Sequence, residues 1–560
     1  MNFREEIVKI LTEATTLSAS EIEPLLTIPP GQNLGDFAFP CFKLGKNPVQ
    51  AAKDLQSKLK LPPSIQKAVA TGPYLNFYLA PEVVAEYTLS TIHKQKEKYG
   101  QGKQKEDIVV EFCSPNTNKP LHLGHLRNMA LGDSIYRLLK FQGNKVHPVE
   151  VVNDRGIHIC QSLLAYQKWG AGKKPDKKPD HFVGDFYVLF AQKSKENEEL
   201  KKEAQELLLR WERGDKATVK LWKAMNRWVL QGFRQSYRRF GISFEKEYFE
   251  SAYYQKGKEI VQEGLQQGIF HKDHTAATIA PLAKYNLPDK VLLRGDDTSI
   301  YITQDLYLAD LRFRDFHFDR MIYVVASEQN LHFKQLFSIL DLLGRSYAKY
   351  SLHLSYGLVN LPTGRMKSRE GTVVDADDIM DEMAALAEKE VRARYKDLAE
   401  KKIKLRSEQI GLAAIRFFML RTDAVRDITF NPEESIQFEG ETGLYVQYTH
   451  ARACSILRKA SPVKGKITYT LLQAALEQKL VKMLYTFPEK IEETCLHLKP
   501  HLLCRYLLDL AQAFNEFYHA SPVISEDKKL MKARLQLVQG VQQVLENGLT
   551  LLGIAALEEM

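Results

Sequence analysis

His122 and His125 flank Gly124 where the apolar run IVVEFCSP gives way to a helical pattern. The unpaired backbone N–H groups and the macrodipole of such a helix start attract phosphate. Two imidazoles three residues apart share one helical face, and the glycine between them lets a flat ring or a phosphate approach the backbone. This arrangement suits ATP. A histidine pair at that spacing is fortuitous in most chains, so its placement carries the argument. A buried strand precedes it, a helix follows it, and a second basic cluster lies far downstream: Gly364, Arg365, Met366, Lys367, Ser368, Arg369, Glu370 and Gly371.

The elements that must position these residues are legible from periodicity. IVVEFCSP reads as a strand, His122 to about Gln142 as a helix stopped by Gly143, and HPVEVV as a second strand. Residues 107 to 152 therefore spell one strand, helix, strand unit of a parallel sheet, which binds ligands at the carboxyl ends of its strands. Before it, residues 1 to 103 form a small unit with an opening helix, a Lys-rich helix near 48 to 60 and the strand-like GPYLNFYLA, closed by a solvated linker HKQKEKYGQGKQKED. After it, a charged helical region running to Gly241 reads as part of an insertion covering about 170 to 295. Strand signals return in KVLLR, SIYIT, RMIYVVAS and HLSYGLV. From about residue 376 nearly everything has helical period, so the last third is an α-helical bundle.

At 560 residues the chain has room for at least three units, and 44% hydrophobic with 26% charged residues excludes wholesale disorder. The net charge of +9 favours an anionic partner. Six cysteines stand without paired spacing, which excludes a disulfide framework and a zinc site of CxxC type and fits a reducing cytoplasm. The opening residues form an amphipathic helix rather than a signal peptide. No apolar run reaches the roughly 20 residues of a membrane span.

Taken together, these motifs resemble a known family. SPNTNKPLHLGHLRN is similar to the HIGH signature of class I aminoacyl-tRNA synthetases, and GRMKSREG to a variant of their KMSKS loop. With VVNDRGIHI, ASEQNLHFKQL and YVQYTHAR, they resemble the arginyl-tRNA synthetases from GDFAFP near residue 35 to Met560. The resemblance implies a multidomain α/β protein. Its Rossmann-type catalytic domain would span 104–375 with an insertion at about 170–295, after a small α+β N-terminal domain (1–103). A helical connecting region (376–440) and a helical anticodon-binding domain (441–560) would follow.

It also implies ATP as a magnesium complex, L-arginine and tRNA(Arg) as substrates, no structural metal, and a cytoplasmic monomer. Glu111, Asn116, Glu250, Tyr301, Asp305 and Gln329 match the positions that hold arginine. A guanidinium, which keeps its charge and offers a rigid fork of donors, calls for such carboxylates and an aromatic rim. The downstream loop departs from the signature: Arg365 replaces its first lysine, and Lys367 with Ser368 inverts the later order. The resemblance implies that Lys119, just upstream of the histidines, then takes the missing role, with Lys367 and Arg369 as further phosphate contacts. For tRNA, Tyr445, Tyr448 and Arg452 mix rings for stacking with a cation, joined by Arg458, Lys459 and the terminal Met560. Tyr74 and Asn76 match an N-terminal tRNA contact.

A cysteinyl enzyme would need a thiolate-selective zinc site, which the scattered cysteines do not provide. An inactive synthetase-like protein would be expected to lose the histidines or the substrate carboxylates, all of which are present. A simple nucleotidyltransferase would lack the long helical C-terminus.

Overall fold

The computed structural model describes residues 3–29, 34–362, 374–462 and 464–560. At the N-terminus, β1 (Phe37–Pro40), β2 (Ile65–Thr71) and β3 (Tyr74–Leu79) form an antiparallel sheet in the order β1-β3-β2. Its residues Phe37, Phe39, Leu75 and Phe77 are buried, and the helix Pro48–Lys58 packs on β2 and β3. The helix Pro81–Gln95 then leans on the C-terminal helices Ala475–His497 and Lys528–Leu551. The linker expected to be solvated is anchored instead. Tyr99 is buried, stacks on Phe487 and donates its hydroxyl to the Leu484 carbonyl at 2.9 Å. One apolar ring with a satisfied hydroxyl outweighs the charges around it.

The central sheet is built from β4 (Asp107–Glu111), β5 (Lys145–Val152) and β6 (Lys246–Phe249). A small antiparallel sheet follows, β7 (His271–Lys272), β8 (Thr278–Ala280) and β9 (Lys290–Leu293), before β10 (Arg320–Ala326) and β11 (Ser351–Tyr356) complete the central one. The central five strands run parallel in the order β11-β10-β4-β5-β6. From β4 the chain first builds outward through β5 and β6, then returns to place β10 on the other side of β4. This reversal between β4 and β10 is the kind of crevice in which open α/β sheets bind ligands. Alternation splits the core: Ile108, Val110, Ile322 and Val324 face the helix Leu123–Phe141, while Val109, Met321 and Tyr323 face the helices Tyr301–Phe316 and Asn330–Leu342.

Two sequence expectations need correction. The range 170–295 is not one insertion, because β6 lies within it and pairs with β5. Four helices between residues 157 and 240 precede it, and the small antiparallel sheet follows it. The strand KEYF is short and charged, so alternation did not reveal it. SIYIT is not a strand either: the helix begins at Tyr301, where the Thr303 hydroxyl bonds the Leu292 carbonyl at 2.7 Å. Tertiary contact overrides β-branched propensity here.

The helices Ala376–Arg394 and Glu400–Leu420 form a hairpin, and Gly443–Lys459, Ala475–His497, Pro500–Ala520 and Lys528–Leu551 make the expected bundle. Arg416, fully buried, binds Asp133 at 2.8 Å and the Phe240 carbonyl, tying the hairpin to the helix that carries the histidine motif. No described helix is long and apolar enough to cross a membrane.

Candidate active site

His122 is the N-cap of the helix Leu123–Phe141 in extended conformation. Its Nδ1 accepts the Gly124 N–H at 3.2 Å, while Nδ1 of His125 accepts the His122 N–H at 3.0 Å. The two imidazoles thus form a reciprocal capping box, with ring centroids 3.9 Å apart. Both Nδ1 atoms are spent as acceptors, so a neutral ring carries its proton on Nε2 and keeps a donor for a ligand. The rings are neutral: burial, then the charge of Lys119, pushes His122 down to about 3. Burial, then the charges of His122 and Lys119, pushes His125 well below its ordinary value. Gly124 has a sharper purpose than the sequence indicated, since a Cβ there would come within 3.0 Å of the His122 ring.

Long-range bonds hold this helix start. Leu123 N–H bonds the Val374 carbonyl and Ala376 N–H bonds the Leu121 carbonyl, so the chain emerging from 363–373 is tied directly to the motif. Met366, Lys367, Ser368 and Arg369 lie outside the described residues, as do Gly364, Arg365, Glu370 and Gly371. On the approach side, fully buried Arg127 donates to the carbonyls of Gly357, Leu358, Ala424 and Arg426 at 2.6–3.1 Å. Asn128 accepts the Cys113 N–H and donates to the Val324 carbonyl, bracing the turn after β4. There, Cys113 and Ser114 both adopt positive φ, uncommon for side-chain-bearing residues. Lys119 is partly buried beside the histidines. Burial lowers its pKa, and Asp375 opposes that.

The residues matched to arginine binding gather at the carboxyl rim of the sheet. Glu111 ends β4, Asn116 is exposed on the turn beyond it, and Glu250 follows β6 directly. Gln329 is exposed on the turn after β10. Asp305 and Tyr301 share the first turns of the helix Tyr301–Phe316, although Tyr301 stands 78% exposed. Asp305 pairs with His332 at 2.7 Å. Burial raises the pKa of Glu111; Arg312 opposes this and Asp305 adds to it.

Glu111 is already in ion-pair contact with fully buried Arg312, whose guanidinium lies over Tyr248 and Tyr323. The sequence reading missed Arg312, Arg127 and Arg155. Its available signal was an arginine at an apolar helical position, as in YLADLRF.

A second cluster, Asp180, His181 and Asp377, has ligand atoms close enough for a cation. Lys178 fills that role, donating to Asp180, Asp377 and Ser236 at 2.8 Å each. His181 bonds Asp377 at 2.9 Å, so the helix Pro179–Glu196 is latched to the segment leaving 363–373.

In the C-terminal bundle a cavity of about 890 Å³ is lined by Tyr448, Arg452, Arg458, Lys459, Tyr518 and Met560, among others. The Arg452 guanidinium lies 4.8 Å from the ring of Tyr448 and 5.3 Å from that of Tyr518. Tyr445, half-buried on the same helix, accepts at its hydroxyl from Asn515 at 3.0 Å, and Met560 is buried. At the N-terminus Tyr74 is exposed and meets Phe42 edge-on, whereas Asn76 is 3% exposed in the middle of β3.

Comparison with known proteins agrees with this layout. The family model for tRNA synthetases class I (R), catalytic domain, matches residues 88–432. The DALR anticodon binding domain matches 446–560 and the arginyl tRNA synthetase N terminal domain 1–79. The chain is 45% identical to the arginine–tRNA ligase of Treponema denticola, covering 95% of this chain and 94% of that one. It is 42% identical to that of Treponema pallidum, covering 100% and 99%. Among solved structures, the Thermus thermophilus arginyl-tRNA synthetase superposes over 100% of both chains with a TM-score of 0.86 at 28% identity.

Proposed function

The chain belongs to the arginyl-tRNA synthetase family of class I and acts as an arginine–tRNA ligase, and we propose that Glu250 and Asp305 hold the substrate guanidinium while His122, His125 and Lys119 meet the phosphates of ATP. The observation that carries this reading is the placement of two Nε2–H donors at a helix N-terminus on the same sheet rim as three carboxylates. Glu111, Asn116 and Gln329 lie at the amino-acid end of the arginine, and Tyr301 covers the rim. Magnesium enters with ATP as part of the substrate.

In the first step a carboxylate oxygen of arginine attacks the α-phosphorus of ATP. The bond from that phosphorus to the bridging oxygen breaks, and pyrophosphate leaves. Charge builds on the phosphoryl oxygens, where fixed donors in a desolvated site are worth most. Neutral imidazoles suit this role because they donate without a proton having to move. In the second step a hydroxyl of the terminal tRNA ribose attacks the arginyl carbonyl and AMP departs. Lys367 and Arg369 add cations to the phosphate side.

We divide tRNA reading between the two ends of the chain. The cavity around Tyr448, Arg452 and Met560, with Tyr445 supporting it, takes splayed anticodon bases in the domain 441–560. Tyr74 in the unit 1–103 meets the tRNA body. The catalytic domain is 104–375, continued by the connecting helices 376–440. Six free cysteines fit a reducing cytoplasm, where we propose that the chain works as a monomer.

The deciding experiment is ATP–pyrophosphate exchange with each of the twenty amino acids, with and without tRNA. Arginine alone should drive it, and exchange driven by another amino acid overturns the assignment. For the tRNA side, Tyr448→Ala should raise the KM for tRNA in aminoacylation by about tenfold, the loss of about one base–ring stack. The KM for arginine at saturating tRNA should stay unchanged.

A further inference from the structure

Arg155 follows β5 in the stretch VVNDRG, and its guanidinium meets four groups. Nη2 donates to Glu212 Oε1 at 2.7 Å, and Nη1 stands 3.6 Å from Glu250 Oε1. The planar head lies 4.0 Å from the ring centre of Tyr254 and 5.6 Å from that of Trp211. Two carboxylates and two aromatic faces are what a guanidinium receptor requires. The chain's own arginine therefore occupies such a receptor and shares one carboxylate, Glu250, with the substrate site. Trp211 and Glu212 come from the helix Glu199–Glu212, whereas Glu250 and Tyr254 follow β6. Arg155 pins the helical excursion to the arginine pocket.

Glu250 needs that cation. It is 7% exposed, and its carboxyl is pushed up to about 7, first by burial and then, against the downward pull of Arg155, by the charges of Asp154 and Asp305. Asp154 is bonded to Ser251 and Asp305 to His332, while Glu212 is held by Arg155 itself. Only Arg155 among these groups brings positive charge to Glu250 before substrate arrives.

We infer that Arg155 is a positioning residue for arginine recognition, favouring the charged form of Glu250 and holding it aimed until the substrate guanidinium arrives. The inference rests on the reading that Glu250 receives that guanidinium. A carboxyl whose pKa is raised becomes neutral as pH falls through it, and a neutral carboxyl no longer attracts a cation. The KM for arginine should therefore rise on the acid side. Removing Arg155 removes the influence that lowers the Glu250 pKa, so this acid limb should move to higher pH.

The test uses the full chain with tRNA present and measures the KM for arginine in ATP–pyrophosphate exchange from about pH 6 to about pH 9. For Arg155→Met the limb should move up by about one unit, raising KM about fivefold near neutrality and towards about tenfold at the acid end, with kcat at saturating arginine little changed. Arg155→Lys, which keeps the charge, should return the limb to its wild-type position. Glu250→Gln should abolish the limb and raise KM at every pH.

If Arg155→Met leaves the limb in place, or Arg155→Lys moves it as far as Arg155→Met, the inference is overturned while Glu250 keeps its assignment. If Glu250→Gln leaves KM unchanged, the reading of Glu250 itself fails. Should the methionine variant not fold, Arg155→Gln, which retains a planar polar head, is measured against the same two outcomes.

Discussion

Lys119→Ala lowers ATP–pyrophosphate exchange by about 100- to 1,000-fold, the loss expected when one preorganised charge at a developing phosphoryl transition state is removed. Three observations support this size of effect. The downstream loop lacks the lysine order of its family signature. Lys119 is close enough to the histidines for its charge to depress both imidazoles, and it is itself desolvated, which lowers its pKa. An ammonium held at such a cost gains from an arriving phosphate. Asp375, on the segment that leaves 363–373, faces it and keeps it charged meanwhile. Lys119→Arg should retain part of the activity because the charge persists. Exchange near the wild-type rate in Lys119→Ala would remove this residue from the mechanism.

Replacing either histidine of the motif by asparagine should leave the fold intact and lower kcat by about 100-fold or more. At His122 asparagine is a good N-cap residue whose side-chain oxygen can accept the Gly124 N–H, and at His125, the third residue of the helix, that oxygen can accept the His122 N–H of the capping box. With that oxygen used as the acceptor, its amide N–H2 is too short to stand where Nε2–H stands. His122→Asn and His125→Asn therefore separate capping from chemistry, which alanine would confound with a stability loss of about 1 kcal/mol. Thermal melts at wild-type temperature together with a collapsed exchange rate are the expected result. An unchanged rate would reduce the pair to helix caps.

The same burial fixes a pH signature for the free protein. Both imidazoles have folded pKa values below the unfolded value, with His122 near 3. The unfolded chain therefore binds protons that the folded one does not, and stability is lost as pH falls below about 6.5. Neither imidazole should contribute a limb to activity between pH 6.5 and 8.

Much of the candidate site was legible in the sequence because it is local. The histidine motif, its strand and its helix lie within 35 residues of one another, and period and capping act over that range. The carboxylates were found through resemblance rather than periodicity, since Glu250 and Asp305 come from separate segments that only the sheet brings to one rim. β6 was missed because four residues with two charges carry no alternation, and SIYIT was misread because contact with Leu292 turns a β-branched run into a helix start. That Asn76 lies buried on the central strand β3, while Tyr74 at its start is exposed, was likewise not legible before the strands were paired.

The sequence by itself determined the chemistry to look for: a phosphate-binding helix start, a strand, helix, strand unit around it, a helical C-terminal third and an anionic partner. Only the tertiary structure decided how those parts are held. Arg127 binds carbonyls 230 to 299 residues away, Arg312 meets Glu111 across the sheet, Arg155 joins Glu212 to Glu250, and Tyr99 plugs the C-terminal bundle. Capping and periodicity are written in neighbouring residues, whereas a buried arginine or tyrosine acquires partners only when distant segments close around it. At the histidine pair both kinds of information meet: the capping box is local, and the tether to Val374 and Ala376 that holds the helix start is not.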